Sequence, residues 1–169
     1  MIVSKTAIAV VAALGLGAAG VAVQHSMSAP QDTATQAAPT IPLTIRSAGG
    51  SHVFKVEQAK TEAEQARGLM YRTDLTSDSG MLFWPYPPDG AGPKEANFWM
   101  KNTPSPLDII YIRADGTIAR IAENTVPFSE EPIPSGEPIG AVLEIIGGRS
   151  AALGIAEGDQ VMWAGRRGG

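Results

Sequence analysis

From residue 43 onward, apolar and polar residues alternate in short runs, the period of two that marks a strand with one face buried. Residues 43–48 and 52–58 both alternate, and Gly49-Gly50 between them reads as a two-residue hairpin loop. The stretch TEAEQARGLM then departs from that period. Thr61 and Glu64 have the spacing of a capping box, in which each side chain satisfies a free backbone N–H at a helix start. Gly68 supplies the left-handed residue that stops a short helix. Residues 80–84 form a brief apolar strand. PYPPDGAGPKEA after it reads as a surface loop, because proline brings no donor to a ladder and glycine costs order. A further short strand is expected at 96–100.

Residues 107–113 and 117–123 flank Asp115-Gly116, the dipeptide favoured in type I′ turns, and predict a second hairpin. Residues 125–138 read as another Pro-rich loop. AVLEII at 141–146 carries apolar residues on both sides of the pleat, as a strand buried on both faces does. Residues 150–154 suit a single helical turn, and 160–164 a last strand after the Gly158-Asp159 turn. The pattern predicts a mainly β fold: a compact single-domain β-sandwich or barrel-like structure with one or two short helices. No internal repeat is present.

The first 28 residues follow a different rule. Lys5 precedes an uncharged apolar run at 7–23, which suits a signal peptide or an uncleaved N-terminal membrane anchor. Gly20 with Ala22, or Ser26 with Ser28, are the small residues a peptidase would use. A buried core helix is the weaker reading, since the run has no amphipathic period. Either way the domain is expected to be exported, periplasmic or extracytoplasmic, with membrane contact only through this segment. Residues 29–42 read as a flexible linker, 43–164 as the β-rich domain and 165–169 as a disordered tail.

Composition narrows the chemistry. The absence of cysteine removes disulfides, thiol catalysis, iron–sulfur clusters, thiolate zinc sites and a lipid-modified N-terminal cysteine. Two histidines are too few for a His-rich metal site, and no Asp-rich loop of calcium-binding spacing occurs. No cofactor is expected. A net charge of −4 leaves no electrostatic footprint for nucleic acid, and the chain is expected to act as a monomer.

The distinctive polar residues gather in NFWMKNTPSPLDIIYIRADGTIARI, 97–121. Pairing about a two-residue Asp115-Gly116 loop sets Ile112 against Ala119, Ile110 against Ile121, Tyr111 against Arg120 and Asp108 against Glu123. Two opposed carboxylates cannot both ionise freely without a nearby cation. Lys101, before the Asn102-Thr103-Pro104-Ser105-Pro106 corner, is the nearest such cation in sequence, and Arg67 and Arg72 could add charge. Lys101, Asn102, Thr103 and Asp108 are therefore the first candidates for a ligand site, with Arg67, Arg72 and Glu144 next. The bland alternative is that Asn102 and Thr103 cap the corner and Asp108 accepts from the same corner's amides. Glu144, inside AVLEII, is expected either on a wet face or buried with a partner, because unpaired burial costs too much.

RGLMYR (67–72), GMLF (80–83), FWMKNTPSPLDIIYI (98–112), PIPSGEP (132–138), AVLEIIGG (141–148) and GIAEGD (154–159) occur in this order. The set resembles the family known as domain of unknown function 192, small exported or membrane-anchored prokaryotic proteins. The resemblance covers nearly all of 43–164. It implies a compact β-rich, sandwich-like domain and brings no activity, substrate or cofactor with it.

Two classes of function stay open at this point. An exported β domain with a polar pocket edge and mobile loops suits a binding or accessory module for a small polar ligand, a glycan or an envelope protein. The alternative is a carboxylate-dependent hydrolase acting on an envelope glycan, drawing on Asp108, Glu123 and Glu144. These acids support it if two of them face one cleft, and not if each is locked to a backbone amide or a basic side chain. A purely structural envelope protein would show no concave site at all. A nucleophilic triad is less favoured still, because there is no cysteine and His52, the one histidine of the domain, lies in an ordinary strand.

Overall fold

The computed structural model describes residues 38–166. The expected signal or anchor segment, most of the expected linker and residues 167–169 lie outside them. Along the chain come β1 (Thr40–Ser47), β2 (Gly50–Ala59), α1 (Glu62–Arg67), β3 (Ser79–Phe83), β4 (Lys94–Phe98) and β5 (Leu107–Ile112). β6 (Ile118–Ala122), β7 (Ile133–Ile139), β8 (Ala141–Ile146), α2 (Arg149–Leu153) and β9 (Gln160–Trp163) follow. Among these residues no helix is long and apolar enough to cross a membrane.

Seven strands make one sheet in the order β6-β5-β8-β3-β2-β1-β9, and β4 and β7 make a second, two-stranded one. All pairs are antiparallel except β2 with β3. That parallel pair requires a crossover, which the α1 segment provides. The large sheet curls until its edges touch. The Ile118 N–H donates to the Asp159 carbonyl and the Val161 N–H to the Gly116 carbonyl, and Thr117 bridges Gln160. The mainly β, barrel-like expectation is met in this form.

Strand alternation sorts the core into two layers. Leu43, Ile45, Phe54, Val56, Ile110 and Leu143 fill the inside of the curl. Met81, Phe83, Ile109, Tyr111 and Val142 face outward and pack with Ala96 and Ile139 of the small sheet. β5 and β8 are thus buried on both faces, as AVLEII predicts for β8.

Several boundaries differ from the expectation. Ser47 pairs with Gly50, so the first hairpin turns on Ala48-Gly49, one residue early. β1 begins at Thr40 because its pairing with β2 extends to Thr40–Glu57, inside the expected linker. The second hairpin keeps Ile110–Ile121 and Tyr111–Arg120, but Ile112 faces Ile118, not Ala119. Its loop has a third residue. The Arg113 carbonyl accepts from the Gly116 N–H, and the Arg113 N–H donates to the Thr117 carbonyl. Gly116 has φ +89°, as a type I turn closed by a bulge needs. The Asp115 carboxyl accepts from the Thr117 N–H (2.9 Å) and hydroxyl (2.7 Å) and fixes that geometry.

The largest departure is β7, a strand that takes up the second half of the expected loop 125–138 and ends at Ile139. Pro134 and Pro138 are tolerated there because both strands of a two-stranded sheet are edges, and a missing donor can face outward. Buried Ser135 repairs the irregular register, its hydroxyl accepting from the Ala96 N–H (2.9 Å) and donating to the Glu137 carbonyl (2.8 Å). β4 likewise starts at Lys94, within the stretch expected as loop.

Gly80 on β3 shows how tightly the central strands approach. A Cβ at this position would lie 2.4 Å from the Glu144 carbonyl oxygen of β8. Backbone cannot yield as a flexible side chain would. Gly80→Ala is expected to cost at least about 1–3 kcal/mol, the range for overpacking, read as a lowered denaturation midpoint, and an unchanged midpoint would contradict this packing.

Candidate functional site

The α1 segment is built as its sequence suggests. The Thr61 hydroxyl accepts from the Glu64 N–H at 3.3 Å, and the Glu64 carboxyl accepts from the Thr61 N–H at 2.9 Å. These bonds to the N–H groups at Thr61 and Lys60 hold the Glu64 carboxyl below its usual range. Gly68 ends the helix, but with φ +47° and ψ −135° it lies outside the left-handed helical region, in backbone space that glycine alone adopts readily. A side chain there would crowd what lies beneath. A Cβ would sit 3.1 Å from Phe83 Cζ and 3.7 Å from Glu144 Oε2.

Glu144 is the floor of a cleft of about 620 Å³ between the end of α1, the β3–β4 connection and the chain just after β4. Phe83, Tyr86, Phe98 and Trp99 give the cleft aromatic walls. Phe83 and Phe98 meet edge to face at 5.1 Å, and Tyr86 lies 6.0 Å from Phe98. Arg67, Lys101, Glu62 and Asp89 stand around it. Glu144 itself is only 4% exposed. It forms no ion pair or hydrogen bond with the described residues through its carboxyl group. Burial alone therefore acts on it and pushes its pKa up to about 8. The expectation of a wet face or a buried partner fails here. The side chain leaves the outer face of β8 where the small sheet does not cover it, so only the cleft is left to solvate it.

Asp108 took the opposite course. It is fully buried and accepts from three main-chain N–H groups, of Asn124 (2.8 Å), Gly148 (2.8 Å) and Ser150 (2.7 Å). It ties β5 to the loop after β6 and to the start of α2, and is absent from the cleft lining. It is a structural acceptor, though for other amides than those of the 101–106 corner. Glu123 is exposed, and the ladder of β5 with β6 stops before the expected Asp108–Glu123 pair.

The other predicted residues divide in the same way. Lys101 and Thr103 line the cleft, as does Arg67. Lys101 reaches Glu130 at 3.6 Å and lies 5.2 Å from the centre of the Trp99 ring. Thr103 is buried, donates to the Lys101 carbonyl at 3.1 Å and holds the corner. Asn102 and Arg72 are outside the lining. Arg72 clamps Asp74 (2.7 Å) and Glu57 (3.0 Å), a bridge between the segment after α1 and β2.

Sequence reasoning missed three exposed aromatic residues, of which Trp99 lines the cleft. Tyr71, Trp99 and Phe128 are 68%, 47% and 63% exposed. Their backbones meet at the 99–103 segment: the Tyr71 N–H donates to the Asn102 carbonyl and the Phe128 N–H to the Thr103 carbonyl. Tyr71, Asn102 and Phe128 all have positive φ, between +54° and +64°. Bulky residues rarely adopt such φ, and here the strain holds two large rings in solvent. No period marks these residues. For Trp99 and Tyr71 the signal was the density of large apolar residues in FWM and LMY, and Phe128 had none. Among the described residues no three His, Asp or Glu side chains gather as a metal site requires.

A small, curled β domain with an aromatic cleft floored by one unpaired acid is the class of protein these features define. The chain belongs to the DUF192 family, described as "Uncharacterized ACR", whose model matches residues 43–163. It is similar to a crystal structure of a protein of unknown function from Novosphingobium aromaticivorans DSM 12444. The two share 45% identity and a TM-score of 0.71 over 81% of this chain and 94% of that one. A crystal structure of a candidate transcription regulator from Sinorhizobium meliloti 1021 shares 39% identity and a TM-score of 0.69, over 75% of this chain and 95% of that one. No curated protein matches the chain.

Two predictions follow from the contrasting acids. Asp108→Asn replaces an acceptor oxygen with a donor facing backbone N–H groups and is expected to cost about 1–3 kcal/mol. Glu123→Gln is expected to stay within about 0.5 kcal/mol; equal effects in urea unfolding would refute the asymmetry. For Glu144, burial favours the protonated form, so its contribution to stability is full below about 4.5 and is lost as pH rises to about 8. Wild type is expected to lose stability across that window more steeply than Glu144→Gln, as denaturation midpoints taken at several pH values would show.

Proposed function

We propose that this protein is a binding module whose cleft takes a small ligand with an apolar body and one polar group. The observation that carries the reading is Glu144, buried on the cleft floor with no bonded partner among the described residues. A buried polar group that the protein itself does not satisfy is a standing cost, relieved when a ligand supplies the missing partner. A cleft of about 620 Å³ with aromatic walls and few polar groups is of the size and character that holds small molecules.

The hydrolase reading gains one element and lacks another. Glu144 is held in the protonated state a general acid needs near neutral pH. Of its expected companions, Asp108 is committed to three amides and Glu123 is exposed away from the cleft lining. Recognition is therefore favoured over catalysis. The uncharged apolar run at 7–23 supports work outside the cytoplasm, on a ligand or partner of the envelope.

A thermal-shift screen of the purified protein against envelope sugars, peptidoglycan fragments, amino acids and amines tests the reading. Trp99→Ala removes a half-exposed wall of the cleft at little cost to the core. A ligand at a hundred times its dissociation constant adds about 2.7 kcal/mol to the native state. It is expected to raise the Tm of wild type and not of the variant. Equal shifts in both would move binding elsewhere, and product release from any glycan would favour the hydrolase.

A further inference from the structure

We propose that the cleft selects organic ammonium ions, seating a positively charged nitrogen on Glu144 and an apolar body against the aromatic walls. This rests on the binding reading above and names its ligand class.

Charge balance is the first argument. By count, Glu62 and Asp89 equal Arg67 and Lys101 among the lining residues, so an ionised Glu144 gives the lining a net charge of −1, although no ion pair joins these residues to one another. Lys101 is moreover already engaged by Glu130 and the Trp99 ring. An anionic ligand group at the floor would be repelled by the ionised carboxyl, which has no cation bonded to it, and could pair only with the protonated form. A cation meets an acceptor. The second argument is the wall. Phe83, Tyr86, Phe98 and Trp99 line the cleft with aromatic rings, and ring faces attract cations within about 6 Å of their centroids. The Trp99 ring already accepts one, the Lys101 ammonium at 5.2 Å. The third is access. Gly68 carries no side chain over Glu144 Oε2, and a Cβ there would lie in van der Waals contact with it, at 3.7 Å.

Binding then carries a proton signature. Glu144 gives its proton to solvent as the ammonium ion arrives, so affinity rises with pH. The charged and titratable groups around it are Arg67 and Glu62 from α1, Asp89 and Tyr86 from the β3–β4 connection, Lys101 after β4 and Tyr111 on β5. Met81 faces Glu144 from β3 and Ile109 from β5, and neither titrates. The Tyr111 hydroxyl donates to the Ile133 carbonyl, and burial raises both Tyr111 and Tyr86, so neither ionises in the range concerned.

The experiment titrates benzylammonium, benzyl alcohol and benzoate into the full-length protein, following the Trp99 indole and Met70 methyl signals by NMR. Benzylammonium is expected to bind at least tenfold more tightly than the other two near pH 8. Its affinity should fall about tenfold per pH unit well below that value, as the competent carboxylate form becomes scarce. Glu144→Gln should lose both the preference and the pH slope. Trp99→Ala should weaken binding at every pH and keep the slope. Benzyl alcohol binding as tightly as benzylammonium would overturn the charge selection while leaving a binding cleft, as would a preference for benzoate. No shift at the cleft with any probe would overturn the selection and the binding reading together.

Discussion

Burial of β5 and β8 on both faces is the constraint on which the rest of the structure depends. The large sheet curls until β6 meets β9, so its inner face fills with side chains, and the small sheet covers much of the outer face. A strand in that position has no wet side for a charge. Yet each of the two strands carries an acid, Asp108 pointing with the inner set and Glu144 with the outer. Asp108 lies at the end of its strand, where the N–H groups of Asn124, Gly148 and Ser150 converge on it. Glu144 lies mid-strand, where neighbouring ladders have used the backbone donors. One acid became a tie between loops, and the other was left to face a cleft.

That division explains why the site is where it is. The cleft opens where α1 and the small sheet leave the outer face of β8 incompletely covered, beside a glycine whose conformation few other residues could adopt. The segment after Trp99 is tied by three residues of positive φ, Tyr71, Asn102 and Phe128, and by main-chain bonds that join the segments at 71, 102–103 and 128. A segment so tied presents the Trp99 ring to the cleft without the loss of order that a free loop would suffer on binding. The aromatic contacts of Phe98 with Phe83, Tyr86 and Tyr111 root the same wall in the core.

Local rules made much of the fold readable. The capping box at Thr61, β8 from its two-sided apolar run, and the central pairs of the second hairpin each depend on residues close in sequence. Loop detail was less accessible. Asp-Gly suits either a two-residue turn or a three-residue turn with a bulge, and the bonds between Asp115 and Thr117 decided the latter. The PIPSGEP segment looked unable to pair, because proline removes donors. It pairs because its partner strand lies in a two-stranded sheet, a fact of tertiary arrangement. Of the predicted site residues, Lys101, Thr103, Arg67 and Glu144 came together at the cleft, while Asn102, Asp108 and Arg72 serve the scaffold.

The sequence by itself determined a β-rich domain, its two hairpins and its one capped helix, because those depend on side-chain period and on backbone groups a few residues apart. It also marked Glu144 as an acid in a strand buried on both faces. Only the tertiary structure decided what surrounds that acid. Whether a buried carboxyl finds backbone N–H groups or an open cleft depends on loops that are distant along the chain and adjacent in space, and no local pattern encodes their meeting.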